Sequence, residues 1–548
     1  MNKQELFGYM PAEPYRTAVA YFSMEYAIDQ SLKIYAGGLG FLAGSHLRSA
    51  YHLQQDFVAV GLLWKYGYYD QLRDTTNHMT AAFIEKNYSF LTDIDLTFSV
   101  IVHQSPVHVK VYLLPPATFG CAPLFLLTTD IPENDELSRS ITHRLYESNE
   151  ATRIAQNIVL GIGGAKMLDL LALTPEVYHL NEGHAVALNF YLYDKFKDLA
   201  EVKKRVVFTT HTPEMAGNEA HSFALLDTMS FFYHLTETAV KALLSLSGEQ
   251  FNYTLTALKF ARKANGVSKL HALTAQQMWG GNAGICPIIA ITNAQNHDHW
   301  SDILLSQHLV ASDREAFWRR KQALKHELFQ VVADQCGKLF RDDILTIVWA
   351  RRFAGYKRSG LLMAEWSAFV NLVTQVKFPV QLIWAGKPYP GDAYGTGEFN
   401  QLINRSFGFS NCAVLTGYEL RLSSLLKKGA DVWLNTPRLY HEASGTSGMT
   451  AAMNGTVNLT IPDGWVPEFA RDLVNCFLIP TAPQTLQDAQ KDELENKALL
   501  QILTEKVLPL YYEQPEEWFR VALAAYGDVR TAFGSDRLAQ QYYQELYA

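Results

Sequence analysis

Four short runs of aliphatic and β-branched residues constrain this chain more than any other feature. Arg205-Val206-Val207-Phe208-Thr209-Thr210 ends at His211, and Ile344-Leu345-Thr346-Ile347-Val348-Trp349-Ala350 ends at Arg351-Arg352. Val380-Gln381-Leu382-Ile383-Trp384-Ala385-Gly386 is a third run, and Val432-Trp433-Leu434-Asn435 a fourth. Near-continuous apolar runs of this length suit strands buried on both faces. Polar or glycine-rich residues follow each run, and helical patterns separate most of them. That order predicts parallel α/β layers with functional groups at the carboxyl ends of the strands.

The chain has 548 residues, too many for one core, so at least two domains are expected. Hydrophobic residues at 48% and charged residues at 19% describe an ordinary globular composition. The net charge of −8 is spread without a basic block or a polybasic amphipathic helix. No nucleic-acid or membrane partner is expected, and an anionic substrate needs a local cluster of cations. Five cysteines (Cys121, Cys286, Cys336, Cys412 and Cys476) are widely spaced with no CxxC pair. Reduced thiols in a cytoplasmic protein fit that usage. Met1 to Tyr15 shows no signal-peptide pattern. The most apolar window, Ile158 to Leu173, is interrupted by Lys166 and Asp169, so no membrane span is expected. Ala311 to Phe340 reads as a charged helix with Phe317, Leu324, Leu328 and Val331 at helical spacing, linking two α/β domains. Pro515 to Ala548 reads as a helical, tyrosine-rich tail.

Five constellations carry chemistry-bearing residues. Ser31 to Gly40 contains Gly37-Gly38 ahead of a helical pattern, which fits either a plain tight turn or a close backbone approach to an anion. Arg351 to Arg358 sets four cations in eight residues after a buried strand; a solvated basic loop and a phosphate clamp both fit. His179-Leu180-Asn181-Glu182-Gly183-His184 lacks the spacing of a zinc pair, so no metal site is expected and a packed polar turn is the default. Thr209-Thr210-His211-Thr212-Pro213 puts a histidine just past a strand, in a structural or a catalytic role. Glu442 to Thr450 combines a carboxylate with small residues, as a surface loop or as a cradle of backbone donors does.

Taken in order, these segments resemble the α-glucan (glycogen/starch) phosphorylase family. Phe22-Ser23-Met24-Glu25-Tyr26, Gly37-Gly38, Gly161-Ile162-Gly163-Gly164, His179 to His184 and Thr209 to Pro213 are similar to motifs of that family. So are Gly266 to His271, Ile291-Thr292-Asn293, Arg351 to Arg358, Ala385-Gly386-Lys387 and Glu442 to Met449. The resemblance runs from about residue 17 to residue 545 and describes a compact version of the family. It implies an α/β fold of the GT-B kind, two Rossmann-like domains facing a central cleft. The expected division is an acceptor-side domain at 1–305, a donor-binding domain at 306–520 and a helical tail at 521–548.

The resemblance also implies site roles. Arg352 and Lys357 would clamp the substrate phosphate, and Gly37 and Gly38 would offer it backbone donors. His211, Asn293 and Glu442 would hold the glucosyl hydroxyls. Gly445 and Thr446 would sit near an anionic group, and Arg351 and Tyr356 near the cofactor phosphate and its pocket. Arg352, Lys357, Glu442 and His211 are the expected catalytic set. The family binds pyridoxal phosphate through a lysine at the position held here by Thr450, and no lysine occurs between Lys428 and Lys491. Threonine cannot form the imine, so no covalent cofactor is expected and pyridoxal phosphate would bind only non-covalently. Ala294 is a second departure, where the family usually has glycine. The leading expectation is a retaining α-glucosyltransferase independent of pyridoxal phosphate, using a nucleotide-sugar donor. The alternatives are an α-glucan phosphorylase with non-covalent pyridoxal phosphate and a catalytically silent glucan-binding protein. Expected partners are an α-glucan or other sugar acceptor and a phosphate, sugar-phosphate or nucleotide-sugar donor, with a homodimer left open.

Overall fold

The computed structural model describes residues 3–548, and the chain divides into two compact units. One comprises the residues up to Tyr69, Phe83–Asn293 and Ser535–Ala548; the other comprises Asp70–Ala82 and Ala294–Gly534. Among the described residues each unit is built on one large sheet.

In the first unit seven parallel strands run, edge to edge, Ile288–Ala290, Lys263–Gly266, Val206–Thr210, Val177–Asn181, Val19–Phe22, Phe57–Leu62 and Leu124–Thr128. Ser105–Leu114 and Thr92–Val102 extend the last edge as antiparallel strands. The parallel strands succeed each other outward from Val19–Phe22 in one direction and then from Val177–Asn181 in the other. That is a Rossmann-type order, whose switch point lies between those two strands, and ligands bind outside the carboxyl ends there.

The second unit repeats the order in a six-stranded parallel sheet. Cys412–Leu415, Val380–Ala385 and Leu345–Ala350 form one half; Val432–Asn435, Val457–Thr460 and Cys476–Leu478 form the other. Three of the four runs singled out in the sequence lie in this sheet, and every residue of Leu345–Ala350 is buried. Leu345, Ile347 and Trp349 enter one hydrophobic cluster, while Val348 and Ala350 enter the other. This alternation explains why the run is apolar at every position but Thr346, whose hydroxyl donates to the Ile344 carbonyl. The switch point lies between Leu345–Ala350 and Val432–Asn435. The segments that follow those strands carry Arg351 and Glu442.

The compact units cut the chain differently from the linear ranges 1–305, 306–520 and 521–548. The hairpin of Asp70–Arg73 and Met79–Ala82 packs in the second unit although its flanks belong to the first. Gln71 explains the attachment: its Nε2 donates to the Gly386 carbonyl at 2.9 Å and its Oε1 accepts from the Gly417 N–H at 3.0 Å. One buried amide thus ties the loops after two neighbouring strands. The expected 521–548 tail splits at Gly534/Ser535. Its last part packs in the first unit, where His179 Nδ1 lies 2.8 Å from the Tyr547 hydroxyl and His52 Nδ1 2.8 Å from Asp536 Oδ2.

The expected linking helix is Arg314–Cys336, capped by Asp313, which accepts from the Ala316 N–H, and closed by left-handed Gly337. It is a correction to the sequence reading that this helix lies wholly within the second unit. Leu324 and Leu328 are buried in that unit's two clusters, and Lys325 pairs with Asp431 at 2.6 Å with both side chains buried. Among the described residues no helix is long and apolar enough to cross a membrane, and no group of three His, Cys, Asp or Glu is placed to hold a metal ion.

Candidate functional site

The second unit gathers charge at its switch point. Arg351 leaves the end of Leu345–Ala350 buried, and its Nη2 donates to Glu442 Oε2 at 3.3 Å. Lys357 Nζ donates to Glu442 Oε1. Burial pushes the Glu442 carboxyl up, but Arg351, Lys357 and Arg352 together outweigh it and hold the pKa at about 2. The backbone beneath is fixed by Asp463. Its Oδ2 accepts the His441 and Glu442 N–H groups, both at 3.0 Å, and its Oδ1 accepts from Gly464 at 2.8 Å. Burial raises Asp463 to about 6, with Glu442 adding to the shift and the N–H donors opposing it.

Two atoms of Arg351, Nε and Nη1, are buried without a hydrogen-bond partner. An arginine with one nitrogen on a carboxylate and two idle N–H groups is an incomplete site for an anion. The approach around it is tight. Gly386 lets the next strand's loop pass at a point where a Cβ would lie 1.9 Å from the Arg351 carbonyl oxygen. Gly445 has φ +77°, and a Cβ there would lie 2.7 Å from Glu442 Oε2 and 3.5 Å from Arg351 Nη2.

The four cations of the Arg351–Arg358 run separate into different tasks. Arg351 and Lys357 flank Glu442. Arg352 is exposed, and its charge helps lower the Glu442 pKa. Arg358 is buried and structural, donating to the Thr436 and Pro437 carbonyls at 2.9 and 2.7 Å and pairing with Asp492 at 2.9 Å. Tyr356 stacks on His441 at 6.1 Å between centroids, and Lys357 Nζ lies 4.8 Å from the Tyr356 centroid. Thr446 Oγ1 accepts from Gln295 Nε2 at 3.1 Å. Thr450 is buried in the helix Ser447–Ala452, where its hydroxyl donates to the Ser447 carbonyl at 3.0 Å.

The first unit gathers hydrogen-bonding groups at its own switch point. Glu25, three residues past Val19–Phe22, accepts from the N–H groups of Ala36 and Gly37 at 2.6 and 3.0 Å and from the Tyr146 hydroxyl at 2.8 Å. Gly38 opens the helix Gly38–His52, and a Cβ on Gly37 or Gly38 would meet nothing within 4 Å. His211 follows Val206–Thr210. Its Nε2 donates to Asn181 Oδ1 at 2.7 Å, and its backbone N–H donates to Glu182 Oε2 at 2.7 Å. Burial lowers its pKa to about 3, so the imidazole is neutral at physiological pH.

Glu182 holds φ +71°, a strained conformation for a non-glycine residue. Burial raises its carboxyl to about 7, against the donors of His211, Thr212 and Gly183. Asn293 donates its N–H to the Val267 carbonyl at 3.0 Å and leaves a buried Oδ1 without a partner, as does His184 with its Nδ1.

Sequence reasoning singled out His211, Asn293, Arg352, Lys357, Glu442, Tyr356, Gly37, Gly38, Gly445, Thr446 and Thr450. The structure brings Lys357, Glu442 and Gly445 together around Arg351 in one unit, and Gly37, Gly38, His211 and Asn293 fall in the other. It adds Glu182, Glu25 and Asp463. Glu182 stood inside the His179–His184 segment, and its position immediately after a strand was the available signal. Asp463 gave none, because its role is to hold backbone.

Two Rossmann-ordered α/β units are the components of the GT-B class of proteins. No family model matches the chain. It is 43% identical over 529 residues to an uncharacterized protein of Methanocaldococcus jannaschii, covering 96% of this chain and 99% of that one. It is 30% identical to the maltodextrin phosphorylase of Thermococcus litoralis, across 97% of this chain and 70% of that enzyme. It is 29% identical to the glycogen phosphorylase of Aquifex aeolicus, across 98% and 87%. The chain belongs to the glycogen and maltodextrin phosphorylase family.

Proposed function

We propose that the chain is a retaining α-glucosyltransferase that uses a nucleotide-sugar donor and carries no covalently bound pyridoxal phosphate. One observation supports this above the others: Arg351 keeps two buried N–H groups idle beside Glu442 and Lys357, at a sheet's switch point. Departure of a glucosyl unit leaves negative charge on the leaving oxygen. A prearranged guanidinium and ammonium in a water-poor setting stabilise that charge without reorganisation. A diphosphate brings the acceptor oxygens that Arg351 lacks, and Arg352 adds long-range field. Gly445, Thr446 and Tyr356 shape the anion's surroundings within the same unit.

The residues present do not fit an imine-linked pyridoxal phosphate. Thr450 has no amine, and its hydroxyl is spent on the Ser447 carbonyl. Toward the sugar, neutral His211 and the unpartnered Asn293 Oδ1 offer hydrogen bonds that suit hydroxyl groups. In the second unit Glu442, kept ionised by its cations, is by itself an acceptor suited to a hydroxyl. Given the maltodextrin and glycogen phosphorylases among its relatives, the acceptor is an α-glucan.

The relatives also favour a second reading, phosphorolysis of an α-glucan with pyridoxal phosphate held non-covalently. The idle donors of Arg351 suit any phosphate. A transfer assay with a maltooligosaccharide acceptor separates the two. The donors are a panel of nucleotide-glucose compounds and glucose 1-phosphate with and without pyridoxal phosphate. Extension from a nucleotide-glucose alone is the expected result. Extension only from glucose 1-phosphate with pyridoxal phosphate gives the second reading, and glucan binding without turnover gives a silent binder.

A further inference from the structure

A pocket of about 440 Å³ opens in the second unit between the short helices His297–Trp300 and Ile303–Val310 and the long helix Pro515–Ala532. It shares no residue with the cluster around Arg351. Four polar side-chain atoms on its lining are buried and have no hydrogen-bond partner: His297 Nε2, Ser301 Oγ, Ser306 Oγ and the Tyr526 hydroxyl. Tyr526 is 3% exposed and Ser301 6%. Buried polar atoms are nearly always satisfied in folded proteins, so four groups facing one cavity without a protein partner are available to whatever fills it. Ser306 makes the point sharply. A serine inside a helix can bond back to a carbonyl one turn earlier, and this buried one does not.

We infer that this pocket is a second binding site, for a small polyhydroxylated ligand of the saccharide class. The idle groups define the chemistry. Serine and tyrosine hydroxyls both donate and accept, and so does a neutral imidazole across its two nitrogens. Burial lowers the His297 pKa, with Arg530 also opposing protonation and Asp298 favouring it. A ligand matching this set presents several groups that both donate and accept at close spacing, as vicinal sugar hydroxyls do. Arg530 at the rim offers a cation to a phosphorylated sugar. The inference stands apart from the transferase reading, since neither uses the other's residues.

The test is titration calorimetry on the full chain with glucose, maltotriose, glucose 6-phosphate and inorganic phosphate. It is run on the wild type, Tyr526→Phe, Ser306→Phe and Arg351→Met. Saccharide binding should weaken about tenfold in Tyr526→Phe, the loss of one hydrogen bond. It should vanish in Ser306→Phe, which fills the pocket, and persist in Arg351→Met. Tighter binding of glucose 6-phosphate than of glucose would assign the phosphate to Arg530. Tyr526→Phe should keep its melting temperature, because the deleted hydroxyl has no partner to lose. Absence of saccharide binding, binding untouched by Tyr526→Phe, or binding of inorganic phosphate alone would overturn the inference. So would a fall in the Tyr526→Phe melting temperature, which would make that hydroxyl structural.

Discussion

The two switch points of this chain are built from the same strand order and opposite electrostatics. The second unit concentrates formal charge: Arg351 and Lys357 close on Glu442, whose pKa falls to about 2. The first unit holds its groups near neutrality: His211 is lowered to about 3 and Glu182 raised to about 7. Burial acts on both carboxylates in the same direction. Cations within reach reverse the result at Glu442, whereas Glu182 meets backbone and hydroxyl donors and the further negative charge of Glu219. A Rossmann-ordered sheet therefore sets where a ligand is held, and the residues after its strands set what charge that ligand carries.

The largest effect should come from Arg351→Met. It removes both the idle donors and a partner of buried Glu442, so glucosyl transfer should fall about 10³-fold in kcat. A loss confined to KM would place Arg351 in ground-state binding and weaken the contrast. Acid stability is the next test. Because Glu442 has a folded pKa of about 2 against an ordinary 4.5, the unfolded chain binds more protons between those values. Stability conferred by this group is full above pH 4.5 and is lost as pH falls toward 2, by about 3 kcal/mol. Glu442→Gln should flatten that slope in urea melts across the acid range. Asp463 acts oppositely. Its pKa is raised from 3.8 to about 6, so its contribution is full below pH 3.8 and lost as pH rises through 6.

Glu182→Gln tests the neutral half. A carboxyl titrating near 7 should appear in the pH–rate profile, and its removal should erase that limb and lower activity about 10²-fold. A profile identical to the wild type would leave Glu182 with a packing role only. Gly445→Ala should cost about 2 kcal/mol in thermal stability, from left-handed backbone strain and the clash with Glu442. The smallest effect belongs to Thr450→Val. It deletes one helix-internal hydrogen bond, costs about 1 kcal/mol and leaves transfer unchanged. A large loss of activity there would return Thr450 to the chemistry.

Much of this contrast was legible in the sequence, for reasons that differ between residues. The runs Val206–Thr210, Leu345–Ala350, Val380–Ala385 and Val432–Asn435 announced themselves because a strand buried on both faces is apolar at most positions, with only a few buried polar residues such as Thr346 and Gln381 among them. Glu442, Lys357 and His211 were legible because each sits in a segment that follows a strand or carries a compact motif. The division of labour among Arg351, Arg352 and Arg358 was not, since neighbouring arginines look alike until the turn at Gly355–Lys357 aims them apart. Gln71 and Asp463 were invisible for a related reason. Each secures backbone far away in sequence, through pairings such as Gln71 with Gly386 and Gly417 that no local pattern encodes.

The most direct test of the central claim is calorimetric titration of a nucleoside diphosphate panel into the wild type and into Arg351→Met, with no pyridoxal phosphate present. The account predicts that at least one diphosphate binds the wild type and loses about 100-fold or more in affinity in the variant. Equal binding to both proteins, or no binding until pyridoxal phosphate is added, would contradict it.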